Sequence, residues 1–229
     1  MSVVVLKVGG ASTDGVAEAV AELRAAGARV CVVHGAGPQI SEEMTRRGLE
    51  VRFVGGRRVT TPEALEVVRE SLAEVNAAVC AALGERAVPL HGEAIGLRAE
   101  PVPQLGLVGT AVPSAPAAVV EALAAELVPV VTPLAMAASS GVGGPLNVNA
   151  DEAAAALAVG LGAERLLFLT DVPGVFHDGW LLRAIRARRA EELVGAGVFD
   201  GGIVPKLLAA ARAAKHGLAA EIGATAVVA

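Results

Sequence analysis

Strand-like runs dominated by Val and Leu recur at 3–8, 29–33, 88–90, 127–132, 165–170 and 225–229. Helix-length patterns fill the intervals near 14–26, 38–48, 62–83, 116–125, 151–160, 189–195 and 206–216. Runs that lack polar alternation belong to strands buried on both faces. Their alternation with helices therefore predicts a largely parallel sheet covered on each side. A chain of 229 residues supplies one sizeable α/β domain, with room for two lobes. No repeat or low-complexity linker interrupts it, and the Gly/Ser/Pro-rich segment 139–146 is the expected lobe boundary or mobile loop.

Helix punctuation is explicit at three places. Thr61-Pro62-Glu63 supplies a cap, a first-turn proline and an early acid. Asn149-Ala150-Asp151-Glu152 reads as a capping box, with Asn149 as cap and Glu152 reaching back. Asp200-Gly201-Gly202 opens a helix with Pro205 at its first position.

Composition excludes several functions. A net charge of −5 argues against non-specific nucleic-acid binding. Met1 leads directly into Val3-Val4-Val5-Leu6, without a secretory signal. The charge-free stretches 101–120 and 127–150 are broken by prolines and glycines, so neither reads as a membrane span. Cys31 and Cys80 show no framework spacing and are expected as free thiols in a reducing cytoplasm.

Of 19 basic residues, 16 are Arg, leaving Lys7, Lys206 and Lys215; there are also only three Asn, at 76, 147 and 149. Where only a surface cation is needed the chain uses Arg. Each Lys therefore raises the question of why a compact ammonium is required. Lys7 ends a Val/Leu strand just before Gly9-Gly10. It either snorkels into solvent or meets an anion that the glycine N–H groups also approach. Lys206 falls in the first turn of a helix, where a cation opposes the helix dipole by about 0.3–1 kcal/mol. A bound polyanion would account for it. Lys215, at the other end, suits the dipole.

Four further segments carry chemistry. Val33-His34-Gly35-Ala36-Gly37-Pro38 runs from a strand through a glycine turn into a helix N-terminus, a ready anion site. Ile40 occupies the third glycine position of the dinucleotide fingerprint, and the nucleotidase loop Gly-x4-Gly-Lys-Ser/Thr is absent. Arg58, in Gly56-Arg57-Arg58-Val59-Thr60, is either exposed or a bidentate carboxylate clamp. Asn147, in Leu146-Asn147-Val148-Asn149-Ala150-Asp151, lies outside the cap and has no structural task, which favours a ligand contact. Leu169-Thr170-Asp171-Val172-Pro173-Gly174-Val175-Phe176 is a strand entering a turn, where open α/β sheets contact nucleotides.

In this order, Lys7-Val-Gly-Gly, His34-Gly-Ala-Gly-Pro, Gly56-Arg-Arg-Val-Thr, Asn147-Val-Asn-Ala-Asp, Leu169-Thr-Asp-Val-Pro-Gly and Gly202-Ile-Val-Pro-Lys resemble the amino-acid kinase family over about 3–216. Within it the likeness is to members that phosphorylate N-acetyl-L-glutamate for arginine biosynthesis. The resemblance implies a three-layer α/β/α sandwich around a mainly parallel sheet, of the carbamate kinase-like type. It implies one kinase domain, with a substrate lobe over about 1–150 and an ATP lobe over 151–229. ATP would phosphorylate the side-chain carboxylate, with Mg²⁺ held mainly by the ATP phosphates. Lys7 and Lys206 would stabilise the transition state, and Asp151 would hold both. Gly9, Gly10, Gly35 and the N–H of Ala36 would cradle the phosphoryl group and substrate. Arg58 and Asn147 would take the α-carboxylate. Asp171, Val172, Pro173, Gly174, Val175 and Phe176, with Val198, Phe199 and Asp200, would line the nucleotide site.

The chain departs from the family pattern at three points. Ala36 replaces a loop glycine, Leu90-His91-Gly92-Glu93-Ala94-Ile95-Gly96 differs from the usual acyl-substrate segment, and little chain separates His216 from the last strand. The expected ATP lobe is therefore shortened. No helix precedes the first strand, so the expected assembly is at most an arginine-insensitive homodimer. A sister kinase acting on a carrier-linked aminoadipate or glutamate, and a catalytically silent family member, are the competing readings. Asn147-Val-Asn-Ala-Asp opposes the first, and the presence of Lys7, Lys206 and Asp151 opposes the second.

Overall fold

The computed structural model describes residues 2–9, 15–138, 144–170 and 172–229. The chain begins β1 (Val3–Val8), α1 (Val16–Ala25), β2 (Arg29–His34) and α2 (Gly37–Arg46). A hairpin of β3 (Phe53–Val54) and β4 (Arg57–Arg58) precedes α3 (Pro62–Leu83) and β5 (Ala87–Leu90). Then come β6 (Arg98–Pro101), β7 (Val108–Ala111), α4 (Ala117–Ala124), β8 (Val128–Val131), β9 (Leu134–Ala137) and β10 (Pro145–Val148). They lead to α5 (Ala150–Gly160), β11 (Arg165–Leu169), the pair β12 (Phe176–His177) and β13 (Trp180–Leu181), and β14 (Ala184–Arg186). Helices α6 (Ala187–Gly195) and α7 (Ile203–Lys215) and strands β15 (Ala219–Ile222) and β16 (Thr225–Val228) complete the fold.

Eight strands form one sheet in the order β14-β16-β15-β11-β1-β2-β8-β5, parallel except between β15 and β16. Residues before 150 supply the half from β1 to β5, later residues supply the other half, and the two join at the β1–β11 pair. Strand parity sorts the side chains into two cores. Leu6, Val8, Val30, Val32 and Val130 pack beneath α1, α2 and α3, whereas Val5, Cys31, Val33 and Val131 face α4 and α5. The result is a three-layer α/β/α sandwich with a mainly parallel centre, as expected.

The sequence reading left β6, β7, β9 and β10 unassigned, and these close into a small barrel beside the main sheet. Each is only four residues long. Gly109 lets two of these strands meet, because a Cβ there would lie 2.6 Å from Ala99 Cβ. Strand β15 is a further addition, so two strands follow α7 where only the last was expected. Helix α7 begins at Ile203, which makes Pro205 its third residue rather than its first. Proline is tolerated there because the first four helical N–H groups have no intrahelical acceptor. The segment 139–146 lies largely outside the described residues.

The Thr61 cap forms, its Oγ1 accepting from the Ala64 N–H at 3.2 Å. Asn149 caps α5 through Oδ1, which accepts from the N–H groups of Asp151 at 2.8 Å and Glu152 at 3.2 Å. Glu152 does not reach back to close a capping box. Its carboxylate instead accepts from Arg57 Nε at 2.7 Å and Nη2 at 2.9 Å, tying the β3–β4 hairpin to α5. Cys31 and Cys80 are free, and burial pushes the Cys31 thiol up to about 12. Among the described residues no helix is long and apolar enough to cross a membrane.

Candidate functional site

Lys7 sits in the middle of the sheet, in register with Val33 on one side and Phe168 on the other. It shares strand parity with Val5 and therefore points toward α5. Only 5% of it is exposed, so its ammonium requires an anion close by. Asp151, the second residue of α5, supplies one: Lys7 Nζ lies 2.8 Å from Asp151 Oδ1. The positive end of α5 and the Asn149 cap favour a carboxylate at that position. From α7, Lys206 Nζ stands 3.9 Å from Asp151 Oδ2 and donates to the Gly202 carbonyl at 3.2 Å. Burial lowers the Lys206 pKa, Asp151 opposes that shift, and Lys7 adds to it. Two cations thus share one carboxylate, leaving a net positive charge in a largely desolvated place.

Beside Asp151 a pocket of about 110 Å³ is lined by Gly35, Gly37, Phe53, Arg58, Asn147 and Ala150, among others. Ala36 also lines it and stands at the N-terminus of α2, which no side chain caps. Gly35 is packed so closely that an added Cβ would lie 3.4 Å from Ala150 Cβ, whereas Gly9 faces open space. Arg58 is not exposed. It is buried, donating through Nη2 to Gly37 O at 2.9 Å and Ser41 Oγ at 2.8 Å, with its guanidinium 4.6 Å from the Phe53 ring centre. Burial lowers its pKa to about 10, and no ion pair among the described residues involves it. Burying a guanidinium without a carboxylate carries a desolvation cost that an anion would offset. Asn147 does have a structural task, contrary to expectation: on β10 it donates from Nδ2 to Thr60 Oγ1 at 3.0 Å, which fixes its amide at the pocket wall.

A larger pocket of about 540 Å³ is lined by Thr170, Val172, Pro173, Gly174, Phe176 and Lys206, with Val198, Phe199, Asp200, Gly202 and Ile203. Its rim includes exposed apolar side chains, Phe176 at 48% and Val198 at 47%. Val175 does not line it. That side chain is fully buried, and its N–H donates to Thr225 Oγ1 at 2.9 Å. The turn is held from below by Gly223, at φ +54°, where a Cβ would lie 2.5 Å from Pro173 O. Gly10 and Asp171 lie outside the described residues.

Residues 2–223 match the Amino acid kinase family. The chain belongs to the amino acid kinase family. A relative from Rubrobacter xylanophilus, named acetylglutamate kinase, is 43% identical over 97% of this chain and 88% of its own length. One of the same name from Nocardioides sp. is 42% identical over 94% of this chain and 75% of its own. Among solved structures, smu.665 from Streptococcus mutans superposes with a TM-score of 0.86 at 25% identity, covering 99% of this chain and 98% of that one.

Several residues at the site of this amino acid kinase have no role in the sequence reading, although all but Phe53 lie within its motifs. Phe53, Arg57 and Thr60 shape the first pocket, and Thr170, Gly202 and Ile203 the second. A signal for the first group was present in Gly55-Gly56, flanked by Phe53-Val54 and Arg57-Arg58. Both glycines adopt positive φ, +57° and +76°, the geometry a two-residue hairpin turn demands. At the tip Gly56 meets Pro205 of α7, whose ring atoms would lie 3.6 Å from an added Cβ. The hairpin therefore touches the helix that carries Lys206.

Proposed function

We propose that this chain transfers the γ-phosphoryl group of ATP to the side-chain carboxylate of N-acetyl-L-glutamate, giving an acyl phosphate used in arginine biosynthesis. One observation carries the reading. Lys7 and Lys206 converge on Asp151, whose neighbour Ala150 lines the first pocket while Lys206 lines the second. A phosphoryl group passing between the pockets would cross this cluster. The relatives named acetylglutamate kinase support the choice of acceptor.

On this reading a carboxylate oxygen bonds to the γ-phosphorus as the bond to the β–γ bridging oxygen breaks, and ADP leaves with that electron pair. No proton need move. The protein's task is to align the reactants and to neutralise charge on the transferring group. Lys7 and Lys206 would do the second, with Asp151 holding their ammonium groups apart until the phosphates arrive. Gly9, Gly10, Gly35 and the Ala36 N–H would cradle the phosphoryl group. Arg58 and Asn147 would receive the α-carboxylate. The nucleotide would occupy the pocket of Val172, Pro173, Gly174, Phe176, Val198, Phe199 and Asp200, with Asp171 and the backbone of Val175 completing the turn. Among the described residues no group of three or more His, Cys, Asp or Glu side chains is arranged to hold a metal. Mg²⁺ would be held mainly by the ATP phosphates, where it would offset their charge.

Hydroxylamine trapping with MgATP and a panel of carboxylates tests the reading. The panel comprises N-acetylglutamate, N-acetylaspartate, glutamate, aminoadipate and a carrier-linked glutamate. Hydroxamate is expected with N-acetylglutamate. A signal with only the carrier-linked substrate, or none from well-folded protein, would refute it.

A further inference from the structure

His34 and Asn76 are both buried, and neither contacts the ions of the site. Strand parity places His34 with Val30 and Val32 on the α3 side of the sheet, where Asn76 projects from α3. Asn76 Nδ2 donates to the Val130 carbonyl of β8 at 2.9 Å, which fixes which way the amide faces. Cys80 Sγ, 3.6 Å from Asn76 Oδ1, is consistent with the same orientation. The second proton of Nδ2 is directed at His34 Nε2, 3.0 Å away. An imidazole nitrogen that accepts a hydrogen bond carries no proton, so neutral His34 is protonated at Nδ1. That nitrogen lies 3.4 Å from the Gly35 carbonyl oxygen, a long and therefore weak hydrogen bond beyond the usual range of about 2.7–3.2 Å. Burial, with Lys7 and His91, lowers the His34 pKa to about 4 against the opposing hydrogen bond to Gly35, which keeps the ring neutral.

The consequence follows from the planarity of the peptide unit. In a trans peptide the C=O and the following N–H point in opposite directions. Anchoring Gly35 O on the His34 side therefore turns the N–H of Ala36 the other way, and Ala36 lines the first pocket. We propose that His34 and Asn76 are positioning residues that hold the Gly35–Ala36 peptide with its N–H aimed at the transferring phosphoryl group. The inference rests on the kinase reading above. It accounts for the third asparagine of the chain and for a histidine where an apolar side chain would fill the space without polar atoms to satisfy.

Two measurements test it. Ring ¹⁵N NMR of the full chain, without substrate, should show His34 as the neutral Nδ1–H tautomer throughout pH 6 to 8; an Nε2–H tautomer would overturn the proposal. In the acyl-phosphate assay, His34→Asn places an amide donor near the Nδ1 position, whereas His34→Gln extends to the Nε2 position. We expect His34→Asn to retain kcat within a few-fold and His34→Gln to lose at least ten-fold, with KM for ATP little changed in both. Equal losses in the two variants, or a loss confined to KM, would contradict it. Absence of acyl phosphate from the wild-type protein would fail the kinase reading instead, and the tautomer measurement would stand independently.

Discussion

Lys7 Nζ and Asp151 Oδ1 lie 2.8 Å apart inside the molecule, one at the end of the first strand and the other in the first turn of α5. Lys206 reaches the same carboxylate only to 3.9 Å. The asymmetry divides their tasks. The first pair is a closed buried contact, whereas Lys206 is held more loosely and, on the proposed reading, would exchange Asp151 for a phosphate. Of the two lysines, Lys206 is the one with more to gain from a ligand, since its contact with Asp151 is the longer.

Asp151→Asn should leave two buried or half-buried ammonium groups without a counter-charge. Breaking a buried pair by removing one partner costs about 3–5 kcal/mol. Urea unfolding at neutral pH should show a loss of that order, and ATP at saturating concentration should restore part of it. A variant as stable as the parent would contradict the placement of Asp151.

Arg58→Lys retains a cation but loses the planar fork that donates to Gly37 O and Ser41 Oγ and stacks on Phe53. KM for the amino-acid substrate should rise by roughly ten- to a hundred-fold, the loss of a hydrogen bond to a charged group. KM for ATP should stay within about two-fold, since Arg58 lines only the first pocket. Equal changes in both would place Arg58 elsewhere in the mechanism.

The buried His34 makes stability depend on pH in a defined window. Its folded pKa lies near 4 and the ordinary value is 6.5. Between these values the unfolded chain binds a proton that the folded chain refuses. Stability attributable to this residue is therefore full above pH 6.5 and falls as pH drops toward 4, by at most about 3 kcal/mol. Lys7 and His91 act on the ring in the same direction as burial. Comparing the parent with His34→Asn across pH 4.5 to 7.5 should show the parent losing the more stability on acidification.

Much of the architecture was legible because its elements are long and uniform. The Val/Leu runs gave the central parallel strands, and Thr61-Pro62 and Asn149 marked the starts of α3 and α5. The barrel was not legible, since its four-residue strands fall in Pro- and Gly-rich sequence with no sustained period. At the site, the rarity of Lys and Asn drew attention to Lys206 and Asn147, whereas the pairing of Lys7 with Asp151 across 144 positions of chain was expected only from the family resemblance, because no local pattern links them. Nor could local pattern reveal that Glu152 serves Arg57 rather than its own helix cap, because that contact depends on where the hairpin docks.

The most direct test of the central claim is Lys206→Arg, assayed for acyl-phosphate formation beside a calorimetric measurement of ATP binding. The substitution keeps the charge but exchanges a compact ammonium for a planar group that cannot occupy the same point between Asp151 and the phosphates. Misplacement on that scale costs about a hundred-fold in rate. The account predicts a loss of at least about that size in kcat, with ATP binding and thermal stability little changed. Near-normal turnover would contradict it.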